Sequence, residues 1–200
     1  TENAGTTWKS VFDSEGTFSI GCITMDPQNT NILWVGTGEN VGGRHVAYGD
    51  GIYKSEDGGK TWKNMGLKKS EHISKIVIHP TNSNIIWVAS QGPLWSKGGE
   101  RGVYKSIDGG EKWVKTLEIS ENTGISEIAI DPNNPNILYA TSHQRRRREW
   151  TYIGGGPESS IYKSTDGGEN WREINSGLPV GEMGRIGIAI SPVNSDYIYA

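Results

Sequence analysis

The residues of this 200-residue chain that could do chemistry fall into three groups. One is an aspartate that recurs: Asp57 in "SEDGGKTW", Asp108 in "SIDGGEKW" and Asp166 in "STDGGENW". The second is the stretch "TGENVGGRHVAYGD" at residues 37–50, where Glu39, Arg44, His45, Tyr48 and Asp50 bring acids, a base and a phenol together. Such a set suits general acid–base work or hydrogen bonding to a polar ligand. The third is aromatic and cationic, with Trp95 and Arg101 in one segment and the run Arg145, Arg146, Arg147, Arg148 ahead of Trp150 and Tyr152 in another. Ring faces stack on sugars or clasp peptides, and guanidinium groups recognise carboxylate or phosphate.

Recurrence sets the aspartates apart, because a catalytic acid is needed once per site and this one returns with its whole frame. Ser55, Asp57, Gly59 and Trp62 are matched by Ser106, Asp108, Gly110 and Trp113, then by Ser164, Asp166, Gly168 and Trp171. "TENAGTTW" at 1–8 fits the frame in decayed form, with Thr1 for the serine and Asn3 for the aspartate. An aspartate accepts hydrogen bonds from backbone N–H groups just downstream, glycines supply positive φ, and the tryptophan can pack between layers. The three aspartates are therefore expected to make turns.

A second element alternates with this frame: "MDPQNTNILWVG", "IHPTNSNIIWVA", "IDPNNPNILYAT" and "ISPVNSDYIYA". Its prolines stand at 27, 80, 132 and 192, so the unit repeats after 53, 52 and 60 residues. Within a unit, residues 73–79, 85–90, 102–106 and 112–118 read as four short strands, rich in β-branched and aromatic residues and bounded by Gly, Asn, Asp and Pro. Four antiparallel strands at such a period predict an all-β fold, a β-propeller of four-stranded blades. The expected division is a partial blade at 1–18, blades at about 19–71, 72–123 and 124–183, and a partial blade at 184–200. Residue 1 falls inside a repeat, so the expectation is a fragment of about four blades of a larger propeller.

Bulk properties narrow the partners. A formal net charge of −3 gives no electrostatic reason to expect nucleic acid. No stretch approaches the length of an apolar membrane span. One cysteine, Cys22, forms no disulfide framework and reads as a small buried hydrophobe. The four histidines, His45, His72, His79 and His143, lack metal-ligand spacing, and no phosphate-binding glycine loop is present, so neither metal nor cofactor is expected.

The SxDGGxxW frame resembles the Asp-box, or BNR repeat, of sialidases, xyloglucanase-type glycoside hydrolases, sortilin-type Vps10 receptors and a photosystem assembly factor. The whole chain is similar to bacterial BNR-repeat glycosyl hydrolase-like and sortilin N-terminal-like proteins. That resemblance implies a propeller in an extracytoplasmic setting. It does not imply a sialidase, because the FRIP-type motif is absent and "GRIG" at 184–187 is no substitute. "TGENVGG" resembles the "TDVGG" stretch that carries a catalytic acid in xyloglucanase-type hydrolases, shifted by one residue and with Glu39 for Asp.

In an up-and-down blade the Asp-boxes and the Asn-rich turns share one face. The long loops 38–50, 91–101 and 143–159 belong to the other, where binding and catalysis concentrate. Two readings follow. In the first, that face binds a protein, peptide or glycan through Arg44, His45, Tyr48, Trp95, Arg101, Arg145, Arg146 and Trp150, with no chemical step. In the second, Glu39 and another acid hydrolyse a polysaccharide. Trp95 and Trp150 would either stack on ligand or close their own loops, and the arginine run is expected to pair with Glu149, Glu158 and Asp50.

Overall fold

A computed structural model describes residues 1–200 as sixteen β-strands with no helix. One antiparallel sheet orders β1 (Ile20–Met25), β2 (Leu33–Thr37), β3 (Ile52–Ser55) and β4 (Lys63–Asn64) in sequence. A second repeats this with β5 (Ile73–His79), β6 (Asn82–Ser90), β7 (Gly102–Ser106) and β8 (Val114–Leu117). The third contains β9 (Thr123–Ile130), β10 (Leu138–Gln144), β13 (Ile161–Ser164) and β14 (Arg172–Glu173). Between β10 and β13 stands a ribbon of β11 (Arg146–Arg147) and β12 (Tyr152–Ile153), in a segment the sequence marks as loop. β15 (Ala189–Ile190) and β16 (Ile198–Tyr199) pair with each other. The architecture is that of a β-propeller.

The apolar core lies between sheets rather than within one. Trp34, Ile52, Met65 and Leu67 of the first sheet meet Ile73, Ile76, Ile86 and Val88 of the second. Trp87, Ala89, Val103 and Leu117 of the second meet Ile125, Ile128, Leu138 and Ala140 of the third. Alternation along each strand sends side chains to both faces, and both faces are apolar, so each sheet needs a neighbour. Cys22 packs at the edge of the first cluster, where burial pushes its thiol up to about 12, as suits a hydrophobe.

Asp-box turns join the third and fourth strands. Asp57 Oδ1 accepts the Lys60 and Thr61 N–H groups, both at 2.9 Å, and Ser55 Oγ accepts Gly59 N–H at 2.8 Å. Asp108 and Asp166 sit in the same pattern. Thr1–Trp8 reproduces it with neutral groups: Asn3 Oδ1 accepts Thr7 N–H at 2.9 Å and Thr1 Oγ1 accepts Gly5 N–H at 2.9 Å.

Each box also docks on the segment before it, a preceding sheet for the second and third boxes and residues 1–18 for the first. Trp62 donates its indole N–H to Val11 O at 2.7 Å, Trp113 to Met65 O at 2.8 Å, and Trp171 to Thr116 Oγ1 at 3.3 Å. Gly110, at φ +93°, lies so close to the Trp34 ring that a Cβ would come within 2.4 Å of Cη2. Within each sheet a lysine covers the partner ring, Lys54 over Trp34, Lys105 over Trp87 and Lys163 over Tyr139, with Nζ 5.2–5.8 Å from the ring centres.

Two outcomes test this account. Gly110→Ala should destabilise by about 1–3 kcal/mol, and by more than Gly98→Ala, which has the same left-handed φ but no atom within 4 Å of the added Cβ. Equal losses in thermal melts would remove the inter-sheet contact from the explanation. The box aspartates also set an acid limit. Hydrogen bonds from Thr61 hold the Asp57 carboxyl down at about 2, and the Asn170 backbone N–H does the same, more strongly, for Asp166. A depressed folded-state pKa gives stability that is complete above the unfolded value near 4 and is lost as pH falls toward 2. Urea titrations should therefore show a decline from about pH 4 to 2, shallower in Asp57→Asn.

Candidate functional site

Loop 38–50 leaves β2 through Gly38, whose φ of +91° and close approach to Glu71 O leave no space for a side chain. Its ends are anchored by backbone bonds: Gly38 N–H to Ser19 O at 2.8 Å, Glu39 N–H to Ala47 O at 3.0 Å, and Gly49 N–H to Glu71 O at 2.7 Å. His72 Nδ1 lies 2.9 Å from Glu39 O, and since a carbonyl can only accept, Nδ1 carries the proton.

From there the loop crosses to the third sheet, where arginines hold it. Three successive carbonyls each receive a guanidinium: Asn40 O from Arg185 at 2.9 Å, Val41 O from Arg145 at 3.0 Å and Gly42 O from Arg147 at 2.6 Å. Arg44 returns the contact, donating to Glu149 O at 2.8 Å, and Tyr152 packs on Gly42. Arg146 reaches the second sheet's loop, donating to Trp95 O at 3.1 Å and Asn122 Oδ1 at 3.2 Å. This corrects the expected pairing of the arginine run with acids. Glu158 accepts the Ser120 and Thr123 hydroxyls, and Asp50 accepts the Tyr53 hydroxyl. Every ion pair in the structure uses a lysine.

Arg101 and Arg145 are each 2% exposed. Arg101 spends its N–H groups on the carbonyls of Gly98, Gln91, Pro93 and Ser96, closing loop 91–101 on itself. Arg145 makes only the Val41 bond, and its Nε and Nη2 have no partner. Burial pulls both guanidiniums down to about 10, still far above neutrality. Burial first, then Arg145, pulls His72 down to about 4, and burial lowers His143 as well. Both imidazoles are therefore neutral at physiological pH. Glu71 feels Arg101 and Arg145, yet burial outweighs them and raises its carboxyl.

The family described as "Sortilin, neurotensin receptor 3" matches residues 50–194. The chain belongs to the Sortilin-Vps10 family. It is also 21% identical over 174 residues to a probable oligoxyloglucan-reducing end-specific xyloglucanase of Neosartorya fischeri, covering 81% of this chain and 18% of that protein. A xyloglucanase of Hypocrea jecorina is 23% identical over 201 residues, covering 86% of this chain and 23% of that protein. Among solved structures, the GH74 xyloglucanase from Xanthomonas campestris superposes with a TM-score of 0.62 at 19% identity, over 90% of this chain and 26% of that one. YCF48 from Cyanidioschyzon merolae does so with 0.53 at 18%, over 95% and 53%. These likenesses show the propeller. The chain spans about a fifth to a quarter of the length of the curated xyloglucanases named.

On this Sortilin-Vps10 propeller the structure brings most of the sequence-marked residues to one face. Trp95, Trp150 and Tyr48 are 46%, 74% and 72% exposed, so none serves to close a core. Arg148 stands 6.0 Å from the Trp150 ring and Arg147 4.4 Å from that of Tyr152. His45 folds back on Gly43. Glu39 accepts Ala47 N–H at 3.3 Å within its own loop, and no group of three or more acidic, His or Cys side chains is arranged to hold a metal. Sequence reasoning singled out neither Glu71 nor Arg185, and named His72 only among histidines without metal-ligand spacing. Neither Glu71 nor Arg185 carries a local signal in the sequence, each being a single charged residue in a loop; the left-handed φ of +55° at Glu71 shows only in the structure.

If the arginine-to-carbonyl bonds hold loop 38–50, Arg147→Ala should speed exchange of the Glu39 and Ala47 amides, which are hydrogen-bonded within that loop, by about tenfold, the equivalent of one charge-assisted hydrogen bond. Exchange unchanged from the parent protein would show that the loop is held by other contacts.

Proposed function

We propose that this propeller is a ligand-binding module outside the cytoplasm, taking a polysaccharide on its long-loop face without cleaving it. The observation that carries this reading is the exposed aromatic rim of Tyr48, Trp95 and Trp150, supported on loops that arginines brace from below. Large exposed rings on braced loops lose little freedom when a sugar stacks on them. Kinship with xyloglucanases supports a glycan over other ligands. Placement outside the cytoplasm rests on kinship with the Sortilin-Vps10 family.

One observation favours hydrolysis as a second reading. Glu39 and Glu71 come from adjoining backbone, and burial raises the Glu71 carboxyl, which suits a proton donor. A single set of measurements on the full-length protein separates the two. Binding to plant and bacterial polysaccharides should weaken roughly 3–10-fold in Trp95→Ala and in Trp150→Ala, with no release of reducing ends. Unchanged affinity in both variants would overturn the loop-face reading. Turnover that disappears in Glu39→Gln would establish the hydrolase instead.

A further inference from the structure

The least balanced group on the loop face is Arg145. Its Nη1 donates to Val41 O, while Nε and Nη2 are buried without a partner. Those two nitrogens form one edge of the guanidinium, with parallel N–H bonds at the spacing of two oxygens on a single carbon. The free edge is thus an intact fork rather than two stray donors.

The charge around it is equally unbalanced. Arg101 and Arg185 both act on Arg145, the Tyr152 phenol and Glu71 oppose them with Glu71 the sole carboxylate, and no arginine in the chain reaches a carboxylate at ion-pair distance. His72 and His143, which also face Arg145, are neutral and cancel nothing. A buried cation calls for a countercharge, and this one has fixed its unused donors in the geometry that takes one.

We propose that the Nε/Nη2 edge of Arg145 binds the carboxylate of a uronic acid residue in the polysaccharide. The assignment rests on the glycan reading above and narrows it to acidic polymers. Position supports it: Arg145 immediately precedes the ribbon that carries Arg147 against Tyr152, and the next residue, Arg146, holds the backbone of Trp95, so the fork belongs to the same loop cluster as the aromatic rim. The cover over Arg145 is Val41, an exposed residue of loop 38–50 held through backbone carbonyls. Moving residues 40–42 breaks the three guanidinium-to-carbonyl bonds, which water can replace, while Val46, the loop's buried apolar side chain, lies beyond that stretch.

The test compares a glucuronate-bearing oligosaccharide with its carboxyl-reduced neutral form by calorimetry on the full-length protein. The acidic form should bind about tenfold more tightly, the worth of one bidentate charge-assisted contact. Arg145→Lys keeps the charge but loses the fork, so the two affinities should converge while the neutral form still binds. Glu71→Gln removes the neighbouring carboxylate that competes for the cation and should widen the preference. Equal affinity for the two forms in the parent protein overturns the proposal but leaves the glycan reading standing; binding of neither form overturns both. Preference for a peptide's free C-terminus over its amide, with none for the uronate, also overturns it, as does displacement by inorganic sulfate without any uronate preference. If Arg145→Lys does not fold, the parent comparison and Glu71→Gln decide.

Discussion

Each four-stranded sheet in this chain has two apolar faces, and the structure follows from the need to cover both. A four-stranded blade alone would leave Trp34, Ile52 or Trp87 against water, so it gains stability only when its neighbour is in place. The Asp-box makes that docking specific. Its aspartate and serine close the turn, its second glycine permits the preceding sheet's tryptophan to lie flush, and its own tryptophan donates across the joint to that same sheet. Turn, contact and hydrogen bond come from eight residues, which is why the motif returns at the blade period rather than at one site.

Assigning the joints to one face leaves the opposite face free to vary. Loops there must still be held, and the means is guanidinium-to-carbonyl bonding between segments more than 100 residues apart. The choice of acceptor matters. Carbonyls satisfy geometry without neutralising charge, whereas carboxylates would satisfy both. The lysines of the strands and boxes pair with glutamates, Lys54 with Glu56 and Lys105 with Glu169, so the sides of the propeller are balanced while the loop face keeps its positive charge.

How much of this was legible in the sequence depended on whether the cause was local. β5 and β7 have the bounds that composition and turn residues predict, and Thr1–Trp8 forms an Asp-box turn despite carrying no aspartate, because Asn3 and Thr1 offer acceptors at the same positions. The β11–β12 ribbon was not visible: four consecutive arginines show no alternation, and its strands are held by loop 91–101 and by Gly42. Pairing the arginine run with Glu149, Glu158 and Asp50 failed for a related reason. Counting charges identifies possible partners, but reach and orientation are set by which loops cross, and loop 38–50 crosses farther than any local signal indicates.

Repetition and satisfaction turn out to separate the acids and bases of this chain. Asp57, Asp108 and Asp166 recur, accept side-chain and backbone donors of their own turns, and titrate below ordinary carboxylates because those bonds stabilise the charge. Glu71 and Arg145 occur once each. Burial acts on them without full compensation, raising the one and leaving donors of the other idle. A group that is satisfied in the folded chain stabilises it, whereas a group that burial penalises stays in place because the surrounding packing holds it there. In this propeller the groups of the second kind cluster under the loops, where a ligand can supply the missing partner.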